Sequence, residues 1–419
     1  MKIQENPISR RTALLAGAAV VGGLGLGGTA QASPSHDDGH KLSVTQQAGQ
    51  RVIFSYPGPT PPPALLEQIR AGEVGGVIFF GENITSLSQI AGVVAQLKQA
   101  HAQGPVASPL LLTTDQEGGR VRRLPGEPAL SEKQVGASAD PLTAASSAGT
   151  GAGANLAGVG MNVNLAPVLD VFRVPGNFDD QFGRSYSSDP VACGELGAAF
   201  IRAQQGLGIA ATAKHFPGLG AAARSENTDL TRVTLGLSAA ELRGVDELPY
   251  GPAIAAGVQL VMASWAVYPA LDPDLPAGLS PTIIEGELRR RLGFRGVTIT
   301  DALEAGSLAP FGTSAERGVL AAPRRHGPAA VLGPRRQPGA EHCHRARRRA
   351  AAPPTEPGPL EGSPAAGARV ARQPGLSRAA RGQPRAPSRQ RSAASESPAP
   401  RPMVNGSCTC QNASAAQAR

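Results

Sequence analysis

The chain has 419 residues, with 40 Lys and Arg against 32 Asp and Glu, a formal net charge of +8. That charge is unevenly placed: residues 323–419 hold 17 Arg, no Lys and 4 acidic residues, or +13, whereas residues 1–322 hold 23 basic and 28 acidic residues, or −5. A mildly acidic body carries no electrostatic footprint for nucleic acid, so no nucleic-acid partner is expected, and such a role would rest on the tail alone.

The first 32 residues read as an export signal. Arg10 and Arg11 open a Gly- and Ala-rich apolar stretch that runs to about Gly28, and Ala30-Gln31-Ala32 supplies small residues at cleavage spacing. Paired arginines before a weakly hydrophobic core are the mark of twin-arginine export. The stretch is too short and too rich in glycine for a good membrane-spanning helix. The mature chain is therefore expected to begin near Ser33 with a linker over 33–44. It is expected to lie outside the cytoplasm, extracellular or at the cell wall, with no stable membrane insertion.

From residue 45 onward strands and helices alternate. The expected strands are Val52–Ser55, Val74–Phe80, Leu110–Asp115, Met161–Ala166, Ile209–Ala213, Gln259–Ala263 and Val297–Thr300. The expected helices include Pro63–Ala71, Leu87–His101, Leu142–Gly158, Val191–Gln205, Ala239–Ala256 and Pro281–Leu292, several with Pro near the start and Gly near the end. Near-continuous apolar strands in βα alternation predict a parallel sheet covered on both faces. The closed form of that pattern is a TIM-type (β/α)8 barrel, usually about 250 residues long. Residues 45–322 hold seven βα units, and an eighth strand is due at about 325–335, where the composition changes. The expectation is therefore an α/β barrel that stops short after its seventh unit. An open doubly wound sheet is the alternative, but no Gly-rich phosphate loop follows the first strand.

Residues 323–419 are rich in Arg, Pro, Ala, Gly and Ser and poor in aliphatics, a composition that cannot bury enough surface to fold. The competing readings are a disordered polyanion-binding arm, a cell-wall linker, or text of a GC-rich gene read out of frame. The absence of Lys beside so much Arg favours the last. Cys343, Cys408 and Cys410 lie in this tail, and Cys193 alone lies in the body, so no internal disulfide is expected there. The Cys408/Cys410 pair lacks partners for a zinc site.

Polar residues gather where the strands end, which is where barrel enzymes build their sites. The third strand ends in Asp115-Gln116-Glu117-Gly118-Gly119-Arg120-Val121, with Arg123 just beyond, and the fourth leads to Asp170. A later loop carries Gly183-Arg184-Ser185. The fifth ends in Lys214-His215-Phe216-Pro217-Gly218, the sixth in Ser264-Trp265 and the seventh in Thr300-Asp301. Carboxylates accept from sugar hydroxyls, Arg and Lys fix orientation, and Trp265, the one Trp of the chain, can stack on an apolar sugar face.

Together these motifs resemble glycoside hydrolase family 3, in its β-N-acetylhexosaminidase (β-N-acetylglucosaminidase) branch, over roughly residues 45–322. The resemblance implies a retaining exo-glycosidase that acts on β-linked N-acetylglucosamine with no metal and no cofactor. It implies that Asp301 is the nucleophile, that Asp115, Arg123 and Arg184 contact the substrate, and that Lys214 and His215 hydrogen-bond the same sugar. Asp170 is as readily structural as functional. Better-known members carry a histidine backed by an aspartate as acid/base on the loop after Lys-His-Phe-Pro-Gly. This chain has Ser225 and Asn227 there, and no histidine between His215 and His326. Asp229 and Glu226 become the acid/base candidates. Two rival readings remain open: a β-glucosidase-type member, and a catalytically impaired sugar-binding or truncated product.

Overall fold

The computed structural model describes residues 42–322 and the backbone of residues 329–332. All of them belong to the first of two compact units, Met1–Glu356 and Pro357–Arg419. The export signal expected at 1–32, nearly all of the linker, and the tail apart from those four residues lie outside the described residues.

The barrel strands are β1 (Val52–Phe54), β2 (Gly76–Ile78), β3 (Leu111–Thr114), β4 (Val163–Asn164), β5 (Ala210–Phe216), β6 (Leu260–Ala263), β7 (Val297–Ala302) and β8 (Ala329–Leu332). Each of the first seven falls on an expected strand. Neighbours around the ring are parallel and follow chain order, with β8 between β7 and β1. Residues 45–322 thus supply seven strands, as the spacing predicts. The correction concerns closure. Val331 and Leu332 pair with Val52 and Ile53, and Ala329, Ala330 and Leu332 pair with Thr298, Ile299 and Ala302. A seven-strand sheet would leave two rows of backbone N–H and C=O groups open on β1 and β7. The short apolar run Ala329-Ala330-Val331-Leu332 satisfies both.

Strand alternation sorts the side chains into two layers. Ile53, Ile78, Val163, Leu165, Leu260, Met262 and Ile299 meet inside the ring. Their neighbours Phe54, Val77 and Leu112 point outward and pack against Leu65, Ile69, Ile90, Val94 and Leu97 of the surrounding helices. On the far side Phe216, Tyr250, Val261, Ile283 and Leu288 form the corresponding outer layer.

The helices Pro63–Arg70, Pro141–Gly158 and Pro190–Gln205 each start with Pro, whose missing N–H is no loss in the first turn. Asp140 and Asp189 cap the latter two by accepting from the backbone N–H of Thr143 (3.1 Å) and Val191 (2.9 Å). The single helix expected over Ala239–Ala256 is instead three pieces: Ala239–Glu241, a π-helical turn over Leu242–Asp246, and Tyr250–Ala255. Pro249 lacks the N–H that would continue the ladder. Among the described residues no helix is long and apolar enough to cross a membrane.

Trp265 departs from its expected role. It is 1% exposed, packs with Leu279, Leu303 and Leu308, and donates its indole N–H to the Ala302 carbonyl at 2.9 Å. A Cβ on Gly278 would run into its ring, so glycine there admits the indole. The residue is a buried prop beneath the end of β7, and it does not line the cavity described next. It is therefore no stacking platform for a sugar.

Candidate active site

A cavity of about 340 Å³ opens at the C-terminal ends of the strands. Asp115, Arg123, Arg184, Lys214, His215, Asp229 and Asp301 line it, together with Glu117, Asn227, Thr228 and the aromatic rings of Phe80, Phe178 and Phe182. Of the expected site residues, only Trp265 and Glu226 are left out. Glu226 fails for a local reason: its carboxylate turns back on its own loop and accepts from the Ala223 N–H at 2.6 Å.

Lys214, 2% exposed in β5, stands between two carboxylates, with its Nζ 2.8 Å from Asp115 Oδ1 and 2.7 Å from Glu117 Oε1. Arg184 grips Glu117 through two parallel bonds of 2.9 Å and reaches Asp179 at 2.9 Å with its remaining Nη. Burial works against every ion here. It would lift the Glu117 carboxyl, yet Arg184 and Lys214 overcome it and hold that pKa at about 2. Burial would likewise lower the Lys214 pKa, but Asp115 and Glu117 raise it. Burial, with the carboxylates of Asp170 and Glu117 adding to it, outweighs Arg184 and His215 and raises the Asp179 pKa to about 6, and its Oδ2 has no hydrogen-bond partner among the described residues. Arg123 sits further out, 3.9 Å from Asp115, with a third of its side chain exposed.

Asp170 is fully buried. Its Oδ1 accepts from the backbone N–H of Leu219 (2.6 Å) and of His215 (3.3 Å), and its Oδ2 meets His215 Nδ1 at 2.7 Å. An ionised carboxylate can only accept, so Nδ1 carries the proton and the other ring nitrogen remains for a ligand. Burial alone would lower the His215 pKa; Asp170 reverses that and raises it. Asp170 therefore positions His215 and the turn after it. The ligand atoms of Asp170, Asp179 and His215 lie within 4.8 Å of one another, the arrangement among the described residues best suited to a cation. Three N–H groups already occupy Asp170 and Arg184 bonds Asp179 Oδ1, while Asp179 Oδ2 has no hydrogen-bond partner among the described residues.

Asp301 ends β7, half-buried, with Oδ1 accepting from the Ala302 N–H at 2.7 Å. The loop bearing Asp229 is fastened to the loop beyond Asp301: Gly306 N–H donates to the Asp229 carbonyl at 2.7 Å and Ser307 N–H to the Thr228 carbonyl at 3.1 Å. A Cβ on Gly306 would run into the Leu230 carbonyl, so this approach requires glycine. The loop that carries Asp229 is thus bonded to the segment that follows the strand carrying Asp301.

Sequence reasoning passed over Glu117, Asp179 and Glu132 as site residues. Glu132 is buried behind the network, accepts from the Val168 N–H at 2.9 Å, and has its pKa raised by burial and by Glu117. An acidic residue flanked by Gln116 and Gly118 was the available signal for Glu117. Nothing local marks the other two.

The network makes a pH prediction. Glu117 has a folded pKa of about 2 against an ordinary 4.5. Its contribution is complete above about pH 4.5 and disappears as the pH falls toward 2, a loss on the order of 3 kcal/mol. Urea titrations at pH 6 and pH 2 should show that loss. The Glu117→Gln variant, already destabilised at pH 6, should lack that part of the acid limb.

Comparison with known proteins agrees with this architecture. Residues 49–322 match the glycosyl hydrolase family 3 N terminal domain, and the chain belongs to that family of glycoside hydrolases. It is 49% identical over 283 residues to an uncharacterized secreted glycosyl hydrolase of Arthroderma benhamiae, covering 67% of this chain and 80% of that protein. It is 36% identical over 238 residues to a beta-hexosaminidase of Stenotrophomonas maltophilia, covering 54% and 67%. Two solved structures each share 33% identity with it at a TM-score of 0.65 over 74% of this chain. One is a family 3 beta-N-acetylglucosaminidase from Paenibacillus sp., of which the match spans 57%, and the other a beta-N-acetylhexosaminidase from Beutenbergia cavernae, of which it spans 92%.

Proposed function

We propose that the protein is an exported, retaining exo-glycosidase that removes terminal β-linked N-acetylglucosamine. Peptidoglycan fragments, chitooligosaccharides and glycoconjugates are its natural substrate classes. The observation that carries this reading is the single cavity in which Asp301 and Asp229 share walls with the Asp115, Lys214 and His215 set. The names of the Stenotrophomonas, Paenibacillus and Beutenbergia relatives support the sugar. The secreted Arthroderma relative supports export.

In the first step the Asp301 carboxylate attacks the anomeric carbon, the bond to the leaving oxygen breaks, and that oxygen takes a proton from Asp229. In the second, Asp229 accepts a proton from water as the water attacks the glycosyl ester and frees Asp301. Lys214 and His215 donate to hydroxyls of the bound sugar, Asp115 accepts from them, and Arg123 and Arg184 fix its orientation. An acid on this loop gives its proton to the leaving oxygen in the first step and takes one from water in the second.

Asp229→Asn tests the assignment of the acid. Turnover of di-N-acetylchitobiose should fall by about 10²- to 10⁴-fold, the usual worth of a positioned acid/base. The 4-nitrophenyl glycoside, which leaves without a proton, should be glycosylated onto the enzyme with little loss, and added azide should restore its turnover as a glycosyl azide. Equal activity of variant and parent on chitobiose would remove Asp229 from the mechanism. A parent that binds N-acetylglucosamine but never turns over would favour the sugar-binding reading instead, which Ser225 and Asn227 on the acid loop motivate.

A further inference from the structure

The cavity has one feature that the catalytic residues leave unused. Phe178 and Phe182 both line it, with ring centroids 6.2 Å apart and planes at 83°. Phe178 is half-buried and packs toward the core beside Leu219 and Ala222, whereas Phe182 is 39% exposed. Phe182 packs edge-on against Phe178 alone among the aromatic rings described, and its loop is held by other bonds as well. Gln181 Nε2 donates to the Phe178 carbonyl (3.1 Å) and the Arg224 carbonyl (3.0 Å), and Lys133 Nζ meets Asp180 at 2.6 Å. An aromatic ring kept at a cavity mouth with much of its apolar surface in water is suited to a ligand.

Its position follows from what the loop is sewn to. Phe178 N–H donates to the Ala222 carbonyl at 3.2 Å, Asn177 Nδ2 to the Gly220 carbonyl, and Arg224 to the Gly176 carbonyl at 3.3 Å. Residues 176–182 are therefore stitched to residues 220–224, the first part of the loop that ends in Asp229. An acid must stand beside the leaving oxygen, so whatever is built onto the acid loop faces the leaving group. Of the sugar-binding set, Asp115 directly follows β3 and Lys214 and His215 lie on β5, whereas Arg184 follows Phe182 by two residues and turns its guanidinium to Glu117 and Asp179.

We infer that Phe178 and Phe182 form the leaving-group subsite, a stacking surface for a ring with an apolar face such as the next pyranose of an oligosaccharide. This rests on the glycosidase reading above. It gives the enzyme a preference for ring-shaped leaving groups over small alkyl ones, and it assigns to two phenylalanines the stacking that the lone tryptophan does not perform.

The test is ligand binding, measured by calorimetry on the full chain carrying Asp301→Asn to prevent turnover. The ligands are methyl N-acetyl-β-glucosaminide, its 4-nitrophenyl counterpart and di-N-acetylchitobiose. The two ring-bearing ligands should bind about tenfold tighter than the methyl glycoside. Adding Phe182→Ala should reduce that preference to within about twofold while leaving methyl glycoside affinity unchanged. Phe178→Leu, which keeps apolar volume in the packed position, should weaken the preference in the same direction. Loss for the chitobiose marks a pyranose site, and loss for the nitrophenyl ligand alone marks an aryl site. An unchanged preference in both variants overturns the subsite and leaves the glycosidase reading intact. If none of the three ligands binds, that reading fails and the subsite falls with it.

Discussion

Asp301→Asn should fold as the parent does and lose turnover by about 10⁴-fold or more, the scale of loss seen when a covalent nucleophile is removed. The variant isolates chemistry from structure. Asn keeps the shape of Asp and the oxygen that accepts from the Ala302 N–H, the hydrogen bond that orients Asp301. The side chain is half-buried, so no charge is stranded by the change. Steady-state hydrolysis of 4-nitrophenyl N-acetyl-β-glucosaminide, with far-ultraviolet circular dichroism as the control for folding, checks both halves. An active variant would place the nucleophile elsewhere on the cavity wall.

Lys214→Met is expected to act on stability and binding together. Lys214 neutralises part of two carboxylates, one of them Glu117 at 2% exposure. Without it Glu117 keeps Arg184, while Asp115 keeps only Arg123 at 3.9 Å. Removing one member of a buried charge set typically costs about 3–5 kcal/mol, because the remaining charge is left uncompensated. Urea denaturation at pH 7 should show a loss of that size, and affinity for N-acetylglucosamine should fall with it. A stability change below about 1 kcal/mol would mean that water or the neighbouring arginines replace the lysine at little cost.

Much of this site was legible because its residues follow a positional rule. Short apolar runs marked the strands, and a charged residue directly after such a run marked a place at the barrel mouth. Asp115, Lys214, His215 and Asp301 were found in this way, and all four line the cavity. Residues whose role depends on distant partners were not legible. Glu117 is set by Arg184, 67 positions along the chain, and Asp179 by the turn that carries that same arginine. Trp265 misled because a lone tryptophan near a strand end looks like a sugar platform. Its burial depends on Gly278 and on the Ala302 carbonyl, which no pattern around residue 265 reveals. The closing strand was obscured for another reason: Ala329–Leu332 is four residues long and lies in a region whose overall composition is that of unfolded chain. Its expected place, however, came from counting βα units.

The most direct measurement is proton NMR of the sugar released from 4-nitrophenyl N-acetyl-β-glucosaminide in the first minutes of reaction. Double displacement at Asp301 predicts that β-N-acetylglucosamine appears first and then mutarotates to the equilibrium mixture. First appearance of the α anomer would require a single displacement by water and would contradict Asp301 as a nucleophile. Release of no sugar at all would contradict the glycosidase assignment.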